Sequence, residues 1–108
     1  MTAPGGCQLV GRWRIVEADL WDGDYLDLVE PAYITFDEKG RGEFAFGAAN
    51  GTMELEYSRT IIFFEWMGFD EGDEICGTGS AELDDRGMLE IELAFDHGDD
   101  VILKARRE

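Results

Sequence analysis

Basic side chains are scarce in this sequence. Nine lysines and arginines stand against 25 aspartates and glutamates, for a formal net charge of −16 at pH 7. Proteins hold phosphate backbones and anionic lipid surfaces by neutralising them with Lys and Arg, so this balance excludes nucleic acid and membrane as partners. A macromolecular partner has to be basic or has to dock on an apolar patch; the same acidity also keeps a protein soluble. Histidine occurs once, at His97, and serine only at Ser58 and Ser80. A nucleophile needs a base beside it, and His97 falls in a turn-rich stretch, so no catalytic site is expected and the chain reads as a non-enzyme. Cysteine is limited to Cys7 and Cys76, far apart and without C-x-x-C spacing. They read as reduced thiols of a cytoplasmic protein, with one disulfide pinning the N-terminal arm as the alternative. No stretch approaches the roughly 20 consecutive apolar residues of a membrane helix. The opening Met-Thr-Ala-Pro-Gly-Gly lacks the basic and apolar regions of a signal peptide.

Carboxylates are plentiful but not ordered. Asp19, Asp22, Asp24 and Asp27 lie close in sequence, as do Asp96, His97, Asp99 and Asp100. Hard cations take several carboxylate oxygens, yet neither stretch has the spacing of a calcium loop. Turns of a very acidic chain collect such residues in any case, so neither a metal nor a cofactor is expected. Gly77-Thr78-Gly79 precedes no helical pattern and so is not a phosphate loop; it reads as a bend or bulge in a strand.

What the sequence does hold is a core. Hydrophobic residues make up 44% of it, with three tryptophans, three tyrosines and seven phenylalanines, enough for one domain. Residues 1–9 read as a flexible leader and 10–108 as a single domain. From Gly11 to Glu17 the chain alternates, with Trp13 and Ile15 on one face and Arg12 and Arg14 on the other, the pattern of a strand. Leu20 to Glu30 changes period: Trp21, Tyr25, Leu28 and Val29 fall at helical spacing, Asp22 can cap the start and Pro31 ends it. A short amphipathic helix laid over one end of a sheet is expected there.

Beyond residue 32 strand and turn signals follow one another. Ile34 and Phe36 lead into the Asp37–Gly42 turn; Phe44, Phe46 and Ala48 lead to Asn50-Gly51, a strong hairpin signal because both turn positions need positive φ. A turn centred there pairs Phe44 with Tyr57, Phe46 with Leu55 and Ala48 with Met53. Ile61 to Met67 is apolar on both faces, so its outer face is expected to be covered by the helix or a second subunit. The turn after Tyr57 can be two or three residues long; the two-residue choice, which sets Phe64 and Trp66 inside and Glu65 outside, is preferred. After the Gly77–Leu83 strand, with Ala81 and Leu83 inside, a five-residue turn at Asp96–Asp100 pairs Phe95 with Val101, Leu93 with Leu103 and Ile91 with Ala105. That register places Glu92 opposite Lys104 and Glu90 opposite Arg106, and it turns Arg107 inward.

About eight short strands joined by tight turns predict an all-β domain, a small antiparallel up-and-down barrel with one short helix after the first strand. Gly11-Arg12-Trp13 at the head of the first strand resembles the Gly-x-Trp signature of the calycins, the lipocalin and fatty-acid-binding-protein barrels. The chain also resembles a group of short, acidic, uncharacterised bacterial proteins. The calycin resemblance implies that an arginine of the last strand, here Arg107, stacks across Trp13 and closes one barrel end. It further implies a small apolar ligand in the interior, where Tyr57, Trp66 and Glu17 are the candidate lining groups; Glu17 follows the parity of Trp13 and Ile15, or lies at the rim in water. The number of bulky inward residues predicts a filled interior instead. The residues themselves favour a non-catalytic interaction module. It would self-associate or bind a protein partner through Trp21, Tyr25, Ile61, Phe63 and Met67.

Overall fold

The computed structural model describes residues 9–19, 23–58, 60–96, 98 and 100–108. Period-two alternation resolves into eight strands: β1 (Gly11–Ala18), β2 (Tyr33–Phe36), β3 (Arg41–Phe46), β4 (Ala49–Tyr57), β5 (Ile61–Asp70), β6 (Asp73–Leu83), β7 (Leu89–Phe95) and β8 (Asp100–Arg107). Each pairs antiparallel with its neighbour in sequence, and β1 pairs with β8, so the sheet closes into an up-and-down barrel. A four-residue helix, α1 (Gly23–Leu26), lies between β1 and β2. The inward side chains form one core that includes Trp13, Ile34, Phe36, Phe44, Phe46, Met53, Leu55, Phe64, Trp66, Ile91 and Leu93, with Tyr57 and Phe95 packed at its margin. Leu9, placed by the sequence in the leader, is also fully buried there.

The helix departs from expectation. It is one turn long, and Leu28 and Val29 are 60% and 72% exposed, while Leu26 is the residue that enters the core. The reason is local: Asp27 takes the Ala32 N–H at 3.0 Å and the Arg14 guanidinium at 2.7 Å, which turns the chain toward β2. Trp21 and its proposed cap Asp22 lie outside the described residues.

Two hairpin registers also differ. The β3–β4 turn is Gly47-Ala48, flanked by the pair Phe46 and Ala49, and Phe44 faces Gly51 instead of Tyr57. Gly47 has φ +57, the positive φ that a type II′ turn places at its first central position. Asn50-Gly51 is thereby drawn into β4. A Cβ on Gly51 would stand 2.7 Å from the Phe44 ring, so glycine serves close packing there. In the last hairpin Ile91 faces Leu103, Leu93 faces Val101 and Leu89 faces Ala105, a shift of one inward pair. Phe95 lies opposite Gly77 of β6 but is taken into the turn on its other side, where its carbonyl accepts the Gly98 N–H at 3.1 Å and the last β7–β8 pair is Ala94 with Asp100. Lys104 therefore meets Glu90 at 3.7 Å rather than Glu92, and Arg106 lies opposite Arg14 of β1 rather than Glu90.

Gly77 and Gly79 form no bulge, since β6 pairs on both sides without a break. They lie beneath rings. A Cβ on Gly79 would come within 2.5 Å of Phe64, and one on Gly77 within 3.1 Å of Trp66 and 1.8 Å of the Ala94 carbonyl. The barrel thus fills its interior by setting a large side chain over a glycine of the next strand: Phe44 over Gly51, Phe64 over Gly79, Trp66 over Gly77. Paired in this way, ring and glycine together occupy the space two medium side chains would take.

Candidate functional site

At the barrel end where β1 begins, Trp13 is buried and its indole N–H donates to the Leu9 carbonyl at 3.0 Å. Arg107, its cross-strand neighbour on β8, lays its guanidinium over the indole at 4.2 Å from the ring centroid. Arg107 also donates to the Val10 carbonyl at 3.1 Å. Cation–π contacts of this kind contribute about 0.5–2 kcal/mol. Gly11 explains the spacing of the motif: its φ is +132 and a Cβ would lie 2.7 Å from the Arg107 guanidinium. Glycine two residues before the tryptophan leaves the arginine its path across the strand.

The remaining interior candidates are engaged elsewhere. Tyr57 closes the same end: its hydroxyl accepts the Gly40 N–H at 2.9 Å and donates to the Asp37 carbonyl. Asp37 holds that turn from within by accepting the N–H groups of Lys39 and Arg41. The Arg41 bond is the largest reason its carboxyl lies below the ordinary value of 3.8. Trp66 donates its indole N–H to the Thr78 carbonyl at 3.1 Å and packs edge-on between Phe44 and Phe95. Glu17 does not point inward. The β1–β8 register slips between Ile15 and Glu17, so Val16 is an extra residue and Glu17 comes to lie opposite Lys104 on the outside. A bulge reverses the parity of everything beyond it. No polar or charged side chain of the described residues is buried, whereas a ligand pocket carries a few placed polar groups on its apolar walls.

The outer wall is different. Phe63, Met67 and Phe69 of β5 point outward and are 53%, 66% and 48% exposed. Ile61 is half-buried on the same face. The helix leaves this row uncovered: α1 packs beside β1, and the half-buried Tyr25 ring rests against Gly47 at the β3–β4 turn. The wall also lacks bases, as β4, β5, β6 and β7 contain no lysine or arginine. Glu65 stands directly opposite Glu54, and Glu82 opposite Glu90. The ion pairs of the described residues lie instead around β1 and β8, through Arg12, Arg14 and Lys104.

Compared with known protein families, curated proteins and solved structures, the chain finds no match.

Two further features bear on chemistry. Cys76 is exposed and donates its thiol to Asp96 at 3.4 Å. That hydrogen bond, with the charges of Asp96 and Glu74, pushes its pKa up, the opposite of what a thiolate nucleophile requires. Among the described residues no group of three His, Cys, Asp or Glu side chains is placed to hold a metal. Cys7, His97 and Asp99 lie outside them. No described helix is long and apolar enough to cross a membrane.

Proposed function

We propose that this chain is a non-catalytic interaction module that binds a macromolecular partner through the outer face of β5. The observation that carries this reading is the exposed row of Phe63, Met67 and Phe69 on one strand. Each such side chain costs about 1.5–3 kcal/mol of unrealised burial, and exposed apolar surface rimmed by polar residues marks docking sites; Met67 and Phe69 adjoin on this face, and Glu65 stands between them and Phe63. The interior supports a ligand less well: rings are seated on glycines there, and among the described residues no polar side chain is buried in it. The decisive experiment is photo-crosslinking in the native host, with a photoreactive residue at position 63 or 67 and, as control, at exposed Glu38. Adducts concentrated at 63 and 67 support the module. Equal labelling at all three positions, or none, sinks it.

A second reading has one observation in its favour. The Arg107–Trp13 closure over Gly11 is the arrangement that a calycin-like barrel implies, and kinship of that kind carries small-ligand binding with it. A saturable change of tryptophan fluorescence on titration with apolar ligands supports this reading; a flat response across a broad panel removes it.

A further inference from the structure

On that same wall, and resting on the interaction reading above, a groove of about 720 Å³ runs between the segment after α1 and the outer face of β5. Its apolar lining includes Val29, Tyr33, Ala45, Met67 and Phe69. Three carboxylates border it, Glu30, Glu43 and Glu74, and among the described residues no lysine, arginine or histidine lines it. Burial raises the pKa of the Tyr33 hydroxyl, and the charges of Glu43 and then Glu30 raise it further. Arg12 is not part of the lining; it stacks on the Tyr33 ring at 4.1 Å and is paired with Glu108 at 2.8 Å.

From this arrangement we infer that the groove receives a basic, amphipathic protein segment whose apolar side chains seat on Met67 and Phe69 while its Lys or Arg groups meet Glu30, Glu43 and Glu74. Charge complementarity selects this occupant. A second copy of the chain would bring the same three carboxylates and another net charge of −16 to the contact. Like charges brought together across an interface oppose association. A purely apolar ligand would leave the carboxylates without partners; a purely cationic one would leave Met67 and Phe69 in water. The groove asks for both properties in one segment, with anchors at its centre and charges at its rim.

The test uses a dye-labelled synthetic peptide of leucine and lysine in amphipathic order. Two controls accompany it: the same peptide with glutamate for lysine, and an oligolysine of equal charge. Fluorescence anisotropy is read against the intact protein, Met67→Ser/Phe69→Ser, Glu43→Gln/Glu74→Gln, and a distant control, Glu17→Gln/Glu38→Gln. All substituted side chains are exposed, and circular dichroism checks that each variant is folded. The Leu/Lys peptide should bind, the Leu/Glu peptide should not, and the serine variant should weaken binding by about tenfold or more, as loss of central anchors does. The glutamine variant should weaken binding and flatten its salt dependence, with the distant control unchanged. Equal affinity for oligolysine, or no loss in the serine variant, overturns the proposal by showing diffuse attraction to an acidic surface. Failure of the Leu/Lys peptide to bind also overturns it, and sedimentation then separates the two readings. A dimer that Met67→Asp dissolves keeps β5 as an interface and makes the occupant a second copy. A monomer that also lacks position-specific crosslinks at 63 and 67 removes the interaction module as well.

Discussion

The β1–β8 seam and the β4–β6 wall are built from the same alternating pattern, yet they leave their side chains in opposite conditions. At the seam, the Trp13 ring carries Arg107, its indole N–H is bonded, and Arg12, Arg14 and Lys104 each have a carboxylate partner. On the wall, aromatic and thioether side chains face water and glutamates face glutamates. The inner sides of both regions are buried. The difference therefore lies on the outer side: the seam's contacts are completed within the chain, while the wall leaves apolar side chains exposed, which is what the proposed docking face requires.

The contrast can be broken most forcefully at the seam. Trp13→Ala should destabilise the fold by about 3–5 kcal/mol, as truncation of a large core aromatic does, read from the urea midpoint; an unchanged midpoint would remove Trp13 from the core. Next comes the packing device under the wall. Gly79→Ala drives a methyl to within 2.5 Å of the Phe64 ring and 2.8 Å of the Glu92 carbonyl, and should cost about 1–3 kcal/mol as overpacking does. If that variant melts normally, the ring does not lie where the barrel interior needs it. Arg107→Ala should lose about 0.5–2 kcal/mol, and a fluorescence shift of Trp13 should accompany the loss. On the wall the sign reverses. Glu65→Lys sets a cation opposite Glu54 and should stabilise by about 0.2–1 kcal/mol; a destabilised variant would mean that the wall is already tuned for stability.

The smallest expected effect concerns acid. Asp37, the turn residue beside Tyr57, has its folded pKa held below 3.8 by the Arg41 and Lys39 amides. A depressed carboxyl contributes stability that is present above the unfolded value and is lost as pH falls through the lower folded one. Urea midpoints measured across a pH series should therefore drop below about pH 3.8, and Asp37→Asn should flatten that limb. An acid limb of the same slope in both proteins would assign the turn's stability elsewhere.

Much of the barrel could be read from residue order, because inside–outside alternation holds along every stretch of strand without a bulge. Trp13, Phe44, Phe64, Trp66 and Leu93 face inward as their parity requires. Register was not legible in the same way. Sliding a hairpin by an even number of positions keeps every apolar residue on its face, so Phe44 opposite Tyr57 and Phe44 opposite Gly51 satisfy alternation equally well. The deciding signal was volume: inward glycines at 51, 77 and 79 need rings above them, and the rings at 44, 64 and 66 need glycines beneath. Glu17 escaped for a related reason, since an unpaired Val16 inverts parity without leaving any mark in polarity. The exposed row on β5 was legible as a strand apolar on both faces, but the groove beside it was not. Its other wall, Val29, belongs to a segment whose helical spacing pointed to a buried face.

The seam has a consequence for how the chain assembles. Seven of the eight strand pairings join neighbours in sequence, whereas β1 and β8 are brought together across nearly the whole chain; the Arg107 bond to Val10 joins residues 97 positions apart. Hairpins close cheaply and can form first, while a contact of that separation carries the loop-closure entropy of the entire barrel. The arginine laid over Trp13 is thus a latch that engages only when the cylinder is otherwise complete. Opening should begin at this latch, with the long β5–β6 hairpin the last to yield its amide protons to solvent.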